Sequence, residues 1–553
     1  MFRFSLMAVI LFLFLTGASA CRKDQPVQAP EPEDPEEICP GPTSPRDGGV
    51  LRVGIGRAPV RLNPAHTSSM TDIMLNALLY DGLVVHDSHM NLQPGLASSW
   101  EVHDGGTTWI FHLRQDVVFH SGNPFAAEDV KDHFERWQQA PAAPGLPNLD
   151  SIEVIDDHQV AFHLKYPGLA FLSTISLAHW GHGGIPEAEA VREWGSEYGL
   201  TAESVSGTGP FLVSEWSPGG PIILERNEHY VWGHPGQKNQ GPAHLGGVEI
   251  FAFDSPAKRL EALLAGRLDL DLFVSPVEAD AFMIRENVDL LAPPRISINH
   301  LGFSLAREPT QEMSFRLAVA HAVDQEEIID RVWGGQATTN PGLWHPLMEG
   351  ASPSGRLEGL CREADPHRAV SILREAGWET GQEGRLEREG DPLELSLYVD
   401  SGMGVRVGRV VQEQLERIGA AVEVHPVDDR ALRSAVRQGH HHLVYMDGTA
   451  ASSDVAYWFT TDSIPIPNYL YWSHDEYDRL FEVSQTTMDP ARRARAFEEM
   501  EQLLLEEQVV IGMPHHTWLV GRAQHVHVES YHPVLGPFSL LDVWMEPDRD
   551  RSP

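Results

Sequence analysis

One continuous stretch constrains the fold more than any other: LELSLYVDSGMGVRVGRVVQEQLERIGAAVEVHPVD, residues 393–428. Apolar residues alternate from Leu393 to Val399, which predicts a strand with one buried face. Apolar residues then recur at helical spacing up to Gly419, and alternation resumes after it. The residues of the helical face are Val407, Val411, Leu415 and Ile418. The order strand, helix, strand predicts a βαβ unit and therefore an α/β fold.

The carboxyl end of the first strand in this unit is a candidate binding edge. In open α/β sheets, ligands bind beyond the carboxyl ends of parallel strands. Asp400, Ser401 and Gly402 follow the strand directly. We therefore predict that these three residues contribute to a ligand site.

Hydrophobic periodicity predicts further strands and helices along the chain. Residues 51–55, 206–216, 221–226 and 268–272 carry strand patterns. Helical patterns cover residues 71–79, the residues around Val130, Phe134 and Trp137, a segment starting at Ser255-Pro256, and a segment from Asp324 to Gly334. Ser255 and Asp324 are typical N-cap residues, and Glu327 would complete a capping box with Asp324.

The stretch LASSWEVHDGGTTWIFHLRQDVVFHSGNPF, residues 96–125, contains acids, imidazoles and an arginine that resemble a catalytic set. The set comprises Asp104, His112, Arg114, His120 and Ser121. Trp109, Phe111 and Leu113 alternate with His112 and Arg114, which predicts a strand whose polar residues lie on the outer face. No nucleophile elbow or triad context surrounds them. We therefore predict that the protein is not an enzyme.

Length, charge and cysteine content exclude several classes of protein. A chain of 553 residues is long enough for about three structural units. A formal net charge of −38 disfavours nucleic-acid binding, and it is consistent either with solubility or with a cationic ligand. The three cysteines, Cys21, Cys39 and Cys361, form no disulfide framework, and no CxxC pair is present for a structural zinc site. Cys39 and Cys361 could pair or remain free thiols.

The first residues are typical of a secretory signal. Residues 6–15 are apolar but too few to span a bilayer, and Ala18-Ser19-Ala20 fits a cleavage site. Cys21 follows directly, and small residues before a cysteine resemble a bacterial lipobox, in which that cysteine is lipidated. Residues 21–49 are rich in proline and acid, which predicts an extended tether. The alternative is a freely secreted protein with a disordered tail.

Several blocks of sequence together resemble the extracytoplasmic solute-binding proteins of peptide-type ABC transporters, solute-binding family 5. The blocks occur in family order between about residue 50 and about residue 540. They are LNALLYDGLV (75–84), LQPGLASSWEVHDGGTTWIFHLRQDVVFHSGNPFAAEDV (92–130), VSGTGPFLVSEWSPGGPIILERNEHYVWG (205–233), HLGFSLAREPTQEMSFRLAVAHAVDQEEIIDRVWGGQA (300–337), ADPHRAVSILREAGW (364–378), QEQLERIGAAVEV (412–424) and SHDEYDRLFEVSQTTMDPARRARAFEEME (473–501).

The resemblance implies a two-lobed periplasmic binding protein fold, type II and cluster C-like, with mixed sheets and an extra subdomain in the N-terminal lobe. It implies capture of a peptide or similar solute between the lobes and delivery to an ABC permease. It requires no cofactor, metal or nucleic acid. With the lipobox, it implies a periplasmic or cell-surface protein anchored through Cys21. The expected boundaries are a signal peptide at 1–20, a tether at 21–49, lobe I at 50–274 with an inserted subdomain at about 85–205, lobe II at 275–500 and a return to lobe I at 501–545.

The resemblance also identifies candidate ligand residues. Peptide binders of the family hold the peptide amine with an aspartate in a motif resembling GWxxDxxDP, which aligns here with HHLVYMDGTAASSDVAYWF, residues 441–459. The aspartate position falls at Ala451 and the tryptophan position at Gly448. Either Asp447 or Asp454 replaces the aspartate, or the ligand has no free amine there. Tyr457 and Trp458 match the aromatic part of the motif, and Trp344 and Asn63 are expected to face the cleft.

Other ligands and other classes of function remain open from the sequence. The same fold could bind a nickel complex, haem or an oligosaccharide, and aromatic residues in the cleft would favour a sugar. Histidines cluster at His440-His441-His442 and His515-His516, although neighbours on a strand alternate faces. A secreted hydrolase or metalloenzyme is disfavoured because no HExxH motif is present. A receptor that signals occupancy without transport is a further alternative.

Overall fold

The computed structural model describes residues 45–67, 69–139, 146, 148–177, 181–282, 285, 287–352, 357, 359–381, 384–400, 402–449, 451–536 and 540–546. The predicted signal peptide, Cys21, most of the predicted tether and Ser401 lie outside the described residues.

The strands of the described residues are numbered here in chain order. They are β1 Val50–Ile55, β2 Val84–His86, β3 Leu92–Pro94, β4 Ala97–His103, β5 Thr108–Leu113, β6 Leu149–Asp156, β7 Gln159–Leu164, β8 Phe211–Glu215, β9 Ile222–Arg226, β10 Gly247–Ala252, β11 Leu270–Asp271, β12 Val288–Leu291, β13 Ile298–Phe303, β14 Ala337–Thr338, β15 Glu379–Thr380, β16 Leu386–Arg388, β17 Asp391–Pro392, β18 Glu394–Asp400, β19 Ala421–Val427, β20 Leu443–Gly448, β21 Val510–Gly512, β22 His515–His516, β23 Val520–Ala523, β24 Val526–Val528 and β25 Val543–Met545.

The α-helices of the described residues are numbered in the same way. They are α1 Met70–Leu79, α2 Ala127–Gln139, α3 Ala170–Thr174, α4 Ala188–Trp194, α5 Pro256–Leu264, α6 Met313–Ala322, α7 Gln325–Trp333, α8 Pro366–Glu375, α9 Met403–Arg417, α10 Asp429–Arg437, α11 Ser452–Tyr457, α12 Asp475–Thr486 and α13 Pro490–Glu506.

The first lobe is built on a seven-stranded mixed sheet of order β12-β23-β11-β1-β10-β9-β8. Its centre is parallel, because β1 pairs in parallel with both β10 and β11, and its flanks are antiparallel. A separate four-stranded antiparallel sheet, β4-β5-β7-β6, packs against α2 through the same core. Residues of both sheets are buried together in one apolar core, and a second, smaller apolar cluster of the first lobe includes Leu260 and Leu263 of α5 and Val288 of β12.

The second lobe is built on a five-stranded mixed sheet of order β19-β18-β20-β13-β21. The predicted βαβ unit is confirmed: β18 and β19 are parallel in register, and α9 connects them. Leu395, Leu397 and Val399 are buried, as the alternation required. The apolar face of α9 packs against these strands, which is why the periodicity changes from two to helical spacing at Gly402.

The chain crosses twice between the two sheets. It leaves the first sheet after Leu291 and enters the second at Ile298, and it returns between Gly512 and Val520. Both crossings lie later in the chain than the expected boundaries at 274/275 and 500/501. The reason is that β12 is an edge strand held by β23, about 230 residues away, and no local pattern predicts that pairing.

The stretch that resembles a catalytic set is a strand with one buried face, as predicted. In β5, Trp109, Phe111 and Leu113 are buried, and the alternate residues are not. His112 Nε2 lies 3.2 Å from Glu101 Oε1 across the strand pair, and Arg114 Nε donates to the Gly95 carbonyl oxygen. His112 therefore contacts its neighbour on the outer face of the sheet, whereas Arg114 follows β5 and is partly buried.

His120 and the glycines of the 205–210 loop have packing roles. His120 accepts a hydrogen bond at Nδ1 from the Gly207 amide and contacts the Gly209 carbonyl oxygen through Nε2. A Cβ on Gly207 would lie 2.0 Å from the Leu79 carbonyl oxygen. The loop therefore needs glycine at this position to pack against the end of α1.

The helices α5 and α7 begin where the sequence predicts, but the expected N-cap hydrogen bond forms only in α7. Asp324 caps α7 by accepting hydrogen bonds from the amides of Glu326 and Glu327, and Gly334 ends that helix in the left-handed conformation. Helix α5 begins at Pro256, as predicted, but Ser255 makes no side-chain capping hydrogen bond. The proline at the first helical position leaves one fewer amide to cap.

Candidate functional site

A cavity of about 540 Å³ lies between the two lobes. First-lobe residues on its wall come from α1, from the segment 86–92 and from α3. Second-lobe residues come from Ile296 in the first crossing, from the loop 347–349, from the segment 449–453 and from the start of α13. Because both lobes contribute to the wall, a molecule bound here would contact both of them.

The cavity wall is mainly aliphatic. The apolar residues are Met70, Ile73, Met90, Leu92, Leu169, Leu172, Ile296, Leu347, Met348, Ala451, Pro490 and Val534. The polar residues are His86, His89, Asn91, Ser173, Glu349, Thr449, Ser452, Ser453 and Arg493. Among the residues that the structure describes, no Phe, Tyr or Trp lines the cavity, so the stacking surface that would favour a sugar is absent there. Three methionines make the wall adaptable in shape.

The charged part of the wall is an ion pair between Glu349 and Arg493. Arg493 Nη1 donates to Glu349 Oε2 at 2.5 Å. The arginine side chain is 4% exposed and the glutamate side chain is 36% exposed. Burial raises the pKa of Glu349, and Arg493 opposes that shift. Burial lowers the pKa of Arg493, and Glu349 opposes that shift in turn.

Arg493 is held from three directions. Its Nε donates to the Ser484 carbonyl oxygen at 2.9 Å, and its Nη2 donates to Ser453 Oγ at 2.7 Å. The guanidinium carbon lies 5.2 Å from the centre of the Phe497 ring. These contacts fix the guanidinium beneath the wall of the cavity, so it orients Glu349.

Thr449 and residues 451–453 contribute small side chains to the second-lobe wall. Thr449 Oγ1 donates to the Ile296 carbonyl oxygen, and Ser452 Oγ donates to the Glu349 carbonyl oxygen. Ala451 lines the cavity at the position where the resemblance places an aspartate. The wall therefore carries a methyl group at that position.

A comparison with known proteins identifies the family. The family model of bacterial extracellular solute-binding proteins, family 5 Middle, matches residues 91–464. The chain belongs to this family. The resemblance stated from the sequence blocks is therefore confirmed.

Curated relatives of this family 5 protein align along most of its length. It is 23% identical over 502 residues, 88% of this chain and 92% of the relative, to the probable D,D-dipeptide-binding periplasmic protein DdpA of Escherichia coli K12. It is 24% identical over 526 residues, 91% of this chain and 92% of the relative, to the oligopeptide-binding protein AppA of Bacillus subtilis.

Solved structures of similar shape show the fold. AppA from Bacillus subtilis in complex with a nonapeptide matches with a TM-score of 0.72 and 22% identity, covering 91% of this chain and 100% of AppA. CtaP from Listeria monocytogenes matches with a TM-score of 0.76 and 19% identity, covering 90% and 100%. NikZ from Campylobacter jejuni in complex with Ni(L-His) matches with a TM-score of 0.72 and 20% identity, covering 90% and 99%. The predicted two-lobed α/β fold with mixed sheets is confirmed.

The two aspartates that the sequence offered as amine ligands are engaged elsewhere in this family 5 protein. Asp447 Oδ2 lies 3.3 Å from His516 Nε2. Burial raises the pKa of Asp447, but His516 and the Arg295 guanidinium lower it further, so the net shift is downward. Asp454 accepts a hydrogen bond from the Ala451 amide at the start of α11. Neither side chain lines the cavity.

None of the other predicted ligand residues that the structure describes lines this cavity. Asp400 ends β18, where burial and the Asp447 charge raise its pKa. Gly402 precedes α9, and Ser401 lies outside the described residues. Trp344 is 3% exposed and donates through Nε1 to the Phe497 carbonyl oxygen. Asn63 caps a short 3₁₀ helix by accepting a hydrogen bond from the Ala65 amide.

The aromatic residues of the predicted motif, Tyr457 and Trp458, pack outside the cavity. Tyr457 is 44% exposed and packs beside Phe481 with ring centres 6.0 Å apart. Trp458 lies against Gly448, where an added Cβ would be 3.6 Å from the indole. Neither residue lines the cavity. A ligand role for these predicted residues stays a prediction.

The two crossings contact each other where they run between the lobes. The Trp518 amide donates to the Pro293 carbonyl oxygen, and Arg295 Nη1 lies 3.2 Å from His516 Nδ1. Arg295 also lies over the Trp518 ring at 4.8 Å, and His516 stacks on Trp333 at 5.8 Å. Asp447 therefore belongs to a polar cluster at the crossings and not to the cavity.

The histidine clusters make contacts within the protein. His441 Nε2 lies 2.6 Å from the Tyr469 carbonyl oxygen, and His442 Nδ1 accepts from the Ser396 amide. Within the described part of the chain, no group of three or more His, Cys, Asp and Glu side chains could hold a metal ion. Nor does any described helix have the length and apolar character to span a membrane.

Sequence reasoning missed Glu349 and Arg493. Glu349 lies in a loop without a motif, and Arg493 is one of three arginines within the charged helix α13. Only Arg493 carries a sequence signal. It lies near the helix start that Asp489 and Pro490 mark, where the helix dipole disfavours a cation. That signal gives no partner for the arginine.

Proposed function

We propose that this protein captures a peptide or similar small solute in the cavity between its lobes and delivers it to the permease of an ABC importer. The observation that carries the proposal is a cavity whose wall comes from both lobes. A ligand that contacts both lobes stabilises the closed conformation, so binding shifts the protein from the open to the closed conformation. The proposed role is binding and involves no catalytic step.

Peptides are the favoured class of solute. Relatives with aligned sequences are named as dipeptide- and oligopeptide-binding proteins, and the AppA structure holds a nonapeptide. A mainly apolar cavity of this size with a few polar groups suits a small peptide. The absence of Phe, Tyr and Trp from the described wall counts against an oligosaccharide.

A nickel complex is the second candidate. NikZ has a similar fold and its structure contains Ni(L-His). Two imidazoles, His86 and His89, line the cavity, and neutral imidazole is a good nickel ligand. A complex that brings its own ligands would need few from the protein.

Ligand-dependent stability tests the proposal. We expect the unfolding temperature of the purified protein to rise with di- to pentapeptides, and the free energy of unfolding to increase by about 2.7 kcal/mol at 100 times Kd. Differential scanning fluorimetry with peptides, oligosaccharides, haem and Ni²⁺-histidine would measure this. A rise with Ni²⁺-histidine alone would replace peptides by the second candidate. No rise with any of these solutes would contradict the proposal.

We further propose that Cys21 carries a lipid that anchors the protein outside the cytoplasm, with residues 22–49 as its tether. The relatives named as periplasmic support the extracytoplasmic location. Two acyl chains provide stable membrane anchoring, whereas one chain binds only marginally.

Replacing Cys21 by alanine tests the anchor. We expect Cys21→Ala to move the protein from the membrane fraction to the soluble fraction, because Ala18-Ser19-Ala20 still permits cleavage by ordinary signal peptidase. Cell fractionation and the mass of the mature N-terminus measure this. Cys39→Ala is the matched control and should leave the protein with the membranes. A wild-type protein without lipid mass at Cys21 would contradict the anchor.

A further inference from the structure

One carboxylate oxygen in the cavity wall has no partner. Glu349 Oε2 accepts from Arg493, but among the described residues no hydrogen bond or ion pair reaches Glu349 Oε1. The side chain lines the cavity and is 36% exposed, so the carboxylate is accessible to a ligand. A half-buried carboxylate with a free oxygen favours a cation or a hydrogen-bond donor.

The neighbouring arginine does not offer its charge to a ligand. Its side chain is 4% exposed, and its three nitrogens already donate to Ser484, Ser453 and Glu349. Asp447 and Asp454 do not line the cavity either. Among the described residues of the wall, Glu349 is therefore the accessible charged group, and that charge is negative.

The remainder of the wall limits the body of the ligand. Twelve of the wall residues are apolar, and none of the described ones is Phe, Tyr or Trp. Burial of aliphatic side chains in such surroundings is favourable. The net charge of −38 over the whole chain also attracts cations from solution.

We propose that Glu349 Oε1 binds a primary ammonium group, and that the ligands are short aliphatic peptides with a free amino terminus. Arg493 acts as the positioning residue that fixes the carboxylate. This inference rests on the proposed capture of peptides and names the residue that selects among them. It also replaces Asp447 and Asp454 as candidates for the amine contact.

A matched pair of ligands tests the inference without any mutation. Trileucine has an ammonium group that its analogue 4-methylpentanoyl-Leu-Leu replaces by hydrogen, and both share the same side chains and carboxylate. We expect the wild-type protein to bind trileucine about 10-fold to 100-fold more tightly by isothermal titration calorimetry, the range for a hydrogen bond to a charged group.

The variant Glu349→Gln should remove this preference. It keeps an oxygen that accepts from Arg493, and we expect it to bind the two ligands with the same Kd, close to that of wild type for the analogue. Glu506→Gln is the control, because it removes one negative charge from an exposed position at the end of α13. That control should keep the preference for trileucine.

The outcomes separate this inference from the proposed function. Equal binding of both ligands by the wild-type protein would overturn the role of Glu349 and leave peptide capture intact. A preference for trileucine that survives in Glu349→Gln would likewise overturn the role of Glu349. Failure of both ligands to bind the wild-type protein would overturn the inference together with its peptide ligand.

Discussion

Replacement of Asp81 by alanine is expected to lower the free energy of unfolding by about 3–5 kcal/mol, because three buried donors lose their acceptor. Asp81 accepts hydrogen bonds from Thr208 Oγ1 at 2.9 Å, Tyr230 Oη at 3.1 Å and Trp232 Nε1 at 3.0 Å. The side chains of these donors belong to residues no more than 2% exposed. The carboxylate joins the end of α1 to the loops beside β8 and β9.

The effect of this substitution should depend on pH with a definite sign. Burial raises the pKa of Asp81 to about 6, and the three hydrogen bonds and Arg114 oppose the shift. The folded state therefore retains the proton at pH values where the unfolded state has lost it, so wild-type stability from this group falls as pH rises from about 4 to about 6. The Asp81→Ala variant has no carboxyl group at this position, so its stability does not fall for this reason. The difference between the two proteins should be smaller at pH 7 than at pH 4.

Urea unfolding at both pH values measures this prediction. Asp116→Ala is the control, because Asp116 is exposed and should change stability by less than about 0.5 kcal/mol. A cost below about 1 kcal/mol for Asp81→Ala at pH 4 would show that solvent satisfies the three donors.

Replacement of Glu501 by alanine is expected to destabilise the protein by about 3–5 kcal/mol and to weaken ligand binding. Glu501 is 1% exposed, and Oε1 accepts from the amides of Leu343 at 2.6 Å and Trp344 at 2.8 Å. Oε2 accepts from the Ser352 amide at 3.4 Å. Burial raises the pKa of this carboxyl, and these amides oppose the shift.

The binding effect follows from what the loop carries. Between the anchored amides lie Leu347, Met348 and Glu349, all on the cavity wall. The loop approaches Glu501 so closely that a Cβ on Gly342 would lie 2.4 Å from Oε1. Without the carboxylate, the buried amides lose their acceptor and this part of the wall loses its fixed position.

Unfolding curves and calorimetric titration with trileucine measure the two effects. Glu506→Ala, five residues later on the same helix, is the control and should be near neutral because the side chain is exposed. If Glu501→Ala lowered stability without changing the Kd, the carboxylate would support the fold alone and not the cavity.

Local sequence patterns were sufficient to predict several secondary-structure elements and to identify the family. The alternation in β18, the helical face of α9 and the cap at Asp324 depend on neighbours within a few residues, and the structure has all three. Ordered blocks along the chain identified the solute-binding family, which the family model confirms over residues 91–464. The same pattern indicated that His112 and Arg114 lie on an outer strand face.

The side chains of the cavity did not follow from the sequence. The open-sheet rule predicted Asp400 as a ligand residue, and the motif alignment predicted Asp447 or Asp454. These aspartates lie near the ends of strands or the starts of helices. In the structure, Asp447 contacts His516 in the second crossing, and Asp454 accepts a hydrogen bond from the Ala451 amide at the start of α11. Asp447 pairs with His516, 69 residues later in the chain, and no periodicity reveals that pairing.

The sequence by itself determined the class of fold, the elements with a clear periodicity and the family. The tertiary structure decided which charged side chains meet, because that depends on how distant segments pack. Glu349 and Arg493 are 144 positions apart and meet only when α13 packs beneath the 340–352 loop. Hydrophobic periodicity encodes which face of an element is buried, but the partner of a buried charge is set by the whole chain.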